Sequence, residues 1–139
     1  MIVQTACTIF KYSLLSGAED FNTPSPYVYK IALYNANADL GASTTAYTTT
    51  DEITGTGYTA GGEVLTPIVG SSTDGVGYVS FSNITWNSAS FTCRGALIYN
   101  STTGAAVAVL NFGSDKSASN SFTIQFPSAT STSAIIRIN

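Results

Sequence analysis

Four acidic residues stand in two adjacent pairs, Glu19-Asp20 and Asp51-Glu52. Paired carboxyl groups are the equipment of glycoside hydrolysis, where one protonates the leaving oxygen and the other attacks or activates water. Both pairs fall in connecting or helix-starting contexts, where an acid favours a helix dipole or solvates a turn. That context gives them no catalytic role. The sequence has no histidine, which removes Ser-His-Asp and Cys-His nucleophile systems and most zinc sites. Asp74, close to Gly75 and Gly77, lacks the further acids that a calcium loop needs. The glycines from Gly55 to Gly62 lack the lysine and the strand-to-helix setting of a phosphate cradle, so they read as a turn region anchored by Tyr58. No catalytic, cofactor-binding or metal-ligating residue is therefore assigned, no cofactor is expected, and the chain does not read as an enzyme.

The remaining reactive or polar residues have plainer readings. Cys7 and Cys93 make no disulfide framework. They read as reduced, buried and equivalent to small apolar residues, with a single staple between the amino terminus and the core sheet as the other reading. Arg94 lies inside an apolar run, so it must sit at an edge or be paired, within the fold or across an interface. Asn83-Ile-Thr85 and Asn100-Ser-Thr102 match glycosylation sequons by chance in a Thr-rich chain. Tyr27, Tyr29, Tyr47 and Tyr58 could stack on sugars, but such residues more often anchor cores and protein interfaces.

The elements that would position these residues are mostly strands. Phe91 to Tyr99 and Ala105 to Phe112 are apolar runs joined by Asn100-Ser-Thr-Thr-Gly104, a loop with hairpin chemistry. A polar loop and then Phe122-Thr-Ile-Gln-Phe126 follow, with Phe122, Ile124 and Phe126 alternating against Thr123 and Gln125. These three runs are expected to be consecutive antiparallel strands of the core sheet, the middle one covered on both faces. Tyr27 to Tyr34, Val64 to Val69, Gly77 to Ser82, Ile84 to Trp86 and Ala134 to Ile138 add further strands. Pro67 places its strand at an edge or on a bulge, and Ser71 to Gly75 is a turn. Residues 1 to 16 space Ile2, Val3, Ala6, Ile9, Phe10, Leu14 and Leu15 as one helical face ending at Gly17, although their β-branched content leaves a strand open. Thr48 to Ile53 reads as one helical turn with a Thr cap. Seven or eight short strands, one amino-terminal helix and no internal boundary describe a single domain over residues 1–139, mainly all-β, an antiparallel β-sandwich or jelly roll.

Composition narrows the partners. Charged residues are 9% of the 139-residue chain, far below the roughly 25% of ordinary domains. Serine and threonine together make up about a quarter of the chain, and a hydroxyl-rich, sparsely charged face is easily desolvated once its groups find new hydrogen bonds. The net charge is −3 with five scattered basic residues, which argues against nucleic acid as a partner. No apolar run approaches a membrane span, and Lys11 interrupts the amino-terminal apolar residues, unlike a signal peptide.

Several stretches carry a further likeness. They are Tyr29-Lys-Ile-Ala-Leu-Tyr34, Leu40-Gly-Ala-Ser-Thr-Thr-Ala-Tyr-Thr-Thr-Thr50, Gly57-Tyr-Thr-Ala-Gly-Gly62, Phe91-Thr-Cys-Arg-Gly-Ala-Leu-Ile-Tyr-Asn100 and Val107-Ala-Val-Leu-Asn-Phe-Gly-Ser-Asp-Lys116. Together they resemble the capsid cement, or decoration, proteins of short-tailed bacteriophages, Bordetella-infecting podoviruses included. The likeness runs from about residue 8 to 127 and rests on turn-and-strand motifs. It implies a jelly-roll β-sandwich that forms a homodimer on the outer surface of the virion. There it would bind the major capsid protein and stabilise the shell by bridging capsomers. Assembly in the host cytoplasm would suit reduced cysteines. The resemblance carries no individual contact residue. Residues 35 to 62 and the amino-terminal segment are the preferred interface, because they are longer than a compact domain's connectors need be. The alternative is a tail, baseplate or fibre module that binds a host surface glycan.

Overall fold

A computed structural model describes residues 1–70 and 75–139. Asp74 and most of the turn expected from Ser71 to Gly75 lie outside the described residues. The fold is mainly β, with antiparallel strand pairing and one short helix. In chain order the elements are β1 (Thr5–Ala6), α1 (Thr8–Leu15), β2 (Tyr29–Tyr34), β3 (Glu63–Val64), β4 (Pro67–Gly70), β5 (Gly77–Phe81), β6 (Ile84–Asn87), β7 (Phe91–Asn100), β8 (Ala106–Ala118), β9 (Ser121–Ile124) and β10 (Ile136–Ile138). They form a five-stranded sheet ordered β1-β8-β7-β2-β3, a three-stranded sheet β10-β5-β4 and a β6-β9 ribbon.

β2, β7 and β8 are the centre because their residues are apolar on both sides. Ile31, Leu33, Leu97, Ile98, Val107 and Val109 are all fully buried, and each such side chain stabilises the fold by about 1.5–3 kcal/mol. Side chains alternate across a strand. Tyr29, Ile31 and Leu33 therefore share one face with Asn100, Ile98 and Ala96, while Lys30, Ala32 and Tyr34 share the other with Tyr99, Leu97 and Gly95. The first face is covered by Phe21, stacked on Tyr29 at 4.4 Å and in edge contact with Phe10 of α1 and Phe81 of β5. The three-stranded sheet thus packs over the five-stranded one, an arrangement that fits a β-sandwich. On the opposite face Tyr47 stacks on Tyr99 at 4.7 Å.

The amino terminus divides between the two readings left open for it. Thr5 and Ala6 pair with Val109 and Ala108, Ile2 bridges Leu40, and the helix is confined to Thr8–Leu15. A helix over residues 1 to 16 would leave the edge of β8 bare, so sheet pairing overrides the helical spacing. Leu15, assigned to the apolar face, is 91% exposed. Gly17, at φ +76°, ends the helix as expected. Its N–H reaches Leu14 O and the Ala18 N–H reaches Ser13 O at 2.8 Å, the paired bonds of a Schellman ending.

Several other expectations need correction. Thr48 to Ile53 is not a helical turn: Asp51 has φ +62°, Thr50 N–H bonds the Thr48 hydroxyl, and Glu52 bridges Tyr34. The polar stretch after Phe112 is not a loop; it continues β8, whose Lys116, Ser117 and Ala118 pair with Cys93, Thr92 and Phe91. Between the pairs Cys93–Lys116 and Gly95–Asn111, one residue of β7 (Arg94) faces four of β8 (Phe112 to Asp115), which makes a large bulge. Finally, β9 does not pair with β8 but crosses to β6, with Trp86 opposite Phe122. The alternation in β9 holds, with Ile124 buried and Thr123 exposed. The strand expected over Val64 to Val69 is split between two sheets, and Pro67 opens β4 at an edge.

Candidate functional site

Each candidate residue named from sequence has a definite place. Cys7 and Cys93 are free and buried. Burial pushes the Cys7 thiol up to about 11 and, with the nearby Asp115 charge adding to it, the Cys93 thiol up to about 12; both behave as small apolar residues. Arg94 is paired within the fold: its Nε donates to Asp115 Oδ1 at 2.8 Å, closing the base of the bulge in β8. Asn100 is buried and its Oδ1 accepts from Thr102 and Thr103 N–H, so it is a loop former. Asn83 Oδ1 accepts from Phe126 N–H at 2.9 Å. Of the four tyrosines, Tyr29 is buried and Tyr27, Tyr47 and Tyr58 are half-buried.

The two acid pairs are the larger surprise, since neither merely solvates a turn. Glu52 accepts from the Tyr47 hydroxyl at 2.6 Å, the Tyr58 hydroxyl at 2.6 Å and Gly61 N–H at 2.7 Å. The Tyr58 hydroxyl also accepts from Leu33 N–H at 2.9 Å. It takes the place of a neighbouring strand on the outer edge of β2, between the Ile53 N–H to Leu33 O bond on one side and β3 on the other. Burial first, and then the bond to Glu52, raise the Tyr58 and Tyr47 hydroxyls above the ordinary tyrosine range. Gly62 permits the approach: a Cβ there would lie 1.7 Å from Ile31 O. The carboxylate thus ties residues 47 to 61 to one another, while the Tyr58 hydroxyl, the Tyr34 hydroxyl on Thr48 O, the Tyr99 hydroxyl on Gly61 O and the Ile53 N–H fasten them to the central sheet. No sequence pattern announces it, because Tyr47 and Tyr58 lie five residues before Glu52 and six after it, outside any helical or strand period.

Glu19 is different. Its Oε2 accepts from the Tyr29 hydroxyl at 2.8 Å and its Oε1 only a 3.5 Å contact from Asn100 Nδ2. The Tyr29 hydroxyl in turn accepts from Asp20 N–H at 3.0 Å. Burial pushes the Glu19 carboxyl above the usual carboxylate range, against the lowering effect of both hydrogen bonds. Glu19 and Asp20 open into a cleft of about 260 Å³ between α1 and the three-stranded sheet. Its apolar wall includes Phe10, Leu14, Phe21, Val69 and Ile138, and Val69 and Ile138 are 47% and 57% exposed. Among the described residues no lysine or arginine lines it. The cleft is suited to holding something apolar with a cationic end.

A second concavity, of about 530 Å³, lies beside the β8 bulge. Phe112 and Phe122, 6.2 Å apart, line it together with Asp115, Lys116, Thr123 and Gln125. Among the described residues no group of three or more His, Cys, Asp or Glu could hold a metal ion, and no helix is long and apolar enough to cross a membrane. Comparison with known protein families, with curated proteins and with solved structures finds no match to this chain.

Proposed function

We propose that the protein is a phage capsid cement protein. It binds the outer surface of the shell built by the major capsid protein, bridges capsomers and stabilises the particle, as a jelly-roll homodimer on the virion. The observation that carries this reading is the cleft at α1, where the exposed side chains of Val69 and Ile138 stand beside a partly desolvated carboxylate that no cation among the described residues meets. Such a surface gains free energy by being covered. A shell repeats each contact many times, so a patch of modest size is sufficient there. The motif resemblance over most of the chain points to the same role.

The test is addition of the purified protein to assembled shells and to free capsid subunits. Binding to shells alone, with a rise in the shell's resistance to heat, supports the reading. Equal robustness of particles with and without the protein rejects it. The second reading, a tail, baseplate or fibre module that binds a host glycan, is favoured by the groove beside the bulge, where two phenyl rings are bordered by hydrogen-bonding side chains. Copy number separates the two readings: hundreds per virion mean shell, a handful mean tail.

A further inference from the structure

The geometry points to the α1 cleft as the socket for an arginine side chain of the capsid partner, held between apolar neighbours, with Glu19 as the residue that receives the guanidinium. This inference rests on the adhesion reading above. Among the described residues the ion pairs are Met1 with Asp39 and Arg94 with Asp115, so Glu19 has none. Its Oε2 is engaged by Tyr29, and its Oε1 holds only the long contact from Asn100. A neutral amide at 3.5 Å leaves that oxygen open to a stronger donor. Among the described residues the cleft carries two acids and no base, so charge complementarity selects a cation. Arginine fits better than lysine because its guanidinium is less strongly hydrated and presents a planar fork. Its alkyl stem can lie along Leu14, Val69 and Ile138, as basic side chains do over apolar surface.

The probe is the capped tripeptide acetyl-Leu-Arg-Leu-amide, compared with the same peptide carrying citrulline, which is neutral and nearly identical in shape. Both are titrated into the full chain and followed by NMR. The arginine peptide is expected to shift the methyl signals of Leu14, Val69 and Ile138 and the Gly77 amide, and to bind about tenfold more tightly than the citrulline peptide. Glu19→Gln is expected to abolish that preference. Equal binding of the two peptides, or no shift at the cleft, overturns the inference. Should Glu19→Gln not fold, Val69→Lys serves in its place: the position is half-exposed on edge strand β4, and its ammonium would occupy the cleft and block the peptide. Shell binding separates the two levels. If the wild type binds shells and both variants bind them equally well, the socket is wrong and the cement reading stands. If the wild type does not bind shells, the cement reading falls and the peptide comparison alone decides the socket.

Discussion

Glu19 and Glu52 serve opposite faces of one sheet. Each accepts a tyrosine hydroxyl, and each belongs to a Glu-Asp pair that looks alike in sequence. Tyr29, bonded to Glu19, points to the face under Phe21, while Tyr47, bonded to Glu52, stacks on Tyr99 of the other face. The difference is in how fully each carboxylate is satisfied. Glu52 has three short donors, from Tyr47, Tyr58 and Gly61, so it braces the segment that contains it. Glu19 has one short donor and an apolar cleft beside it. A buried carboxylate with its lone pairs filled is a fastener; one left partly unmet is a place where binding can release free energy.

The largest effect should come from breaking the fastener. Glu52→Ala leaves the Tyr47 and Tyr58 hydroxyls and Gly61 N–H without their acceptor. Hydrogen bonds to a charged acceptor contribute about 1.5–3 kcal/mol each, and they are not additive when shared by one group. Because Glu52 is half-buried and water can reach part of the vacancy, a loss of about 2–4 kcal/mol is expected in urea unfolding. Amide exchange should quicken at Leu33 and Gly61 in particular. A loss under about 1 kcal/mol, the scale of one ordinary hydrogen bond, would erase the distinction between the two acids.

The reach of sequence reasoning follows the same division. Local patterns were readable: the apolar run of β8, the alternation in β9, the edge placement of Pro67 and the glycine ending of α1 each follow from period-two or capping rules that involve neighbouring residues. What failed depended on residues far apart in the chain. The first six residues have helical spacing, but β8 offers them a free edge, and backbone pairing is worth more there than propensity. Residues 113–118 are polar and read as a loop, yet Thr92 and Ser117 join hydroxyls at 2.8 Å and Arg94 meets Asp115, so a polar strand is held by cross-strand pairs. Glu19 was named from sequence, but its setting could not be read there, because it comes from Tyr29, Asn100 and β10, ten to more than a hundred residues away. The Glu52 cluster was missed because a hydroxyl standing in for a strand has no periodic trace.

A second, smaller effect sharpens the comparison through pH. The folded Glu19 carboxyl sits above its ordinary range, with burial as the main cause. Between the unfolded and folded pKa values the folded protein therefore holds more proton than the unfolded chain. Stability must fall as pH rises through that window, in the weakly acidic range, and must be greater below it. Among the described residues the groups that face Glu19 are Tyr29, Asn100 and Asp20, and none of them brings a positive charge. Glu19→Gln keeps an oxygen for the Tyr29 hydroxyl and removes the titrating proton. Unfolding free energies measured across weakly acidic pH should slope downward for the wild type and lie nearly flat for the variant. Equal slopes would mean that Glu19 is as well accommodated as Glu52 and that the cleft stores no unmet charge.

The smallest effect belongs to a third carboxylate that supplies the scale for both. Asp115 meets Arg94 at 2.8 Å, but the two side chains are 54% and 36% exposed. Surface pairs of this kind are typically worth about 0.2–1 kcal/mol, and salt weakens them further. Asp115→Asn preserves the Oδ1 acceptor for Arg94 Nε, so the bulge in β8 can keep its shape while the charge is lost. Thermal unfolding at low salt should show a loss within that range, shrinking as salt rises until variant and wild type coincide. A larger loss that salt does not reduce would mean that the bulge depends on the pair for its geometry. Asp115 would then belong with Glu52 as a fastener, and exposure would not be what separates the weak carboxylate contacts of this sheet from the strong one.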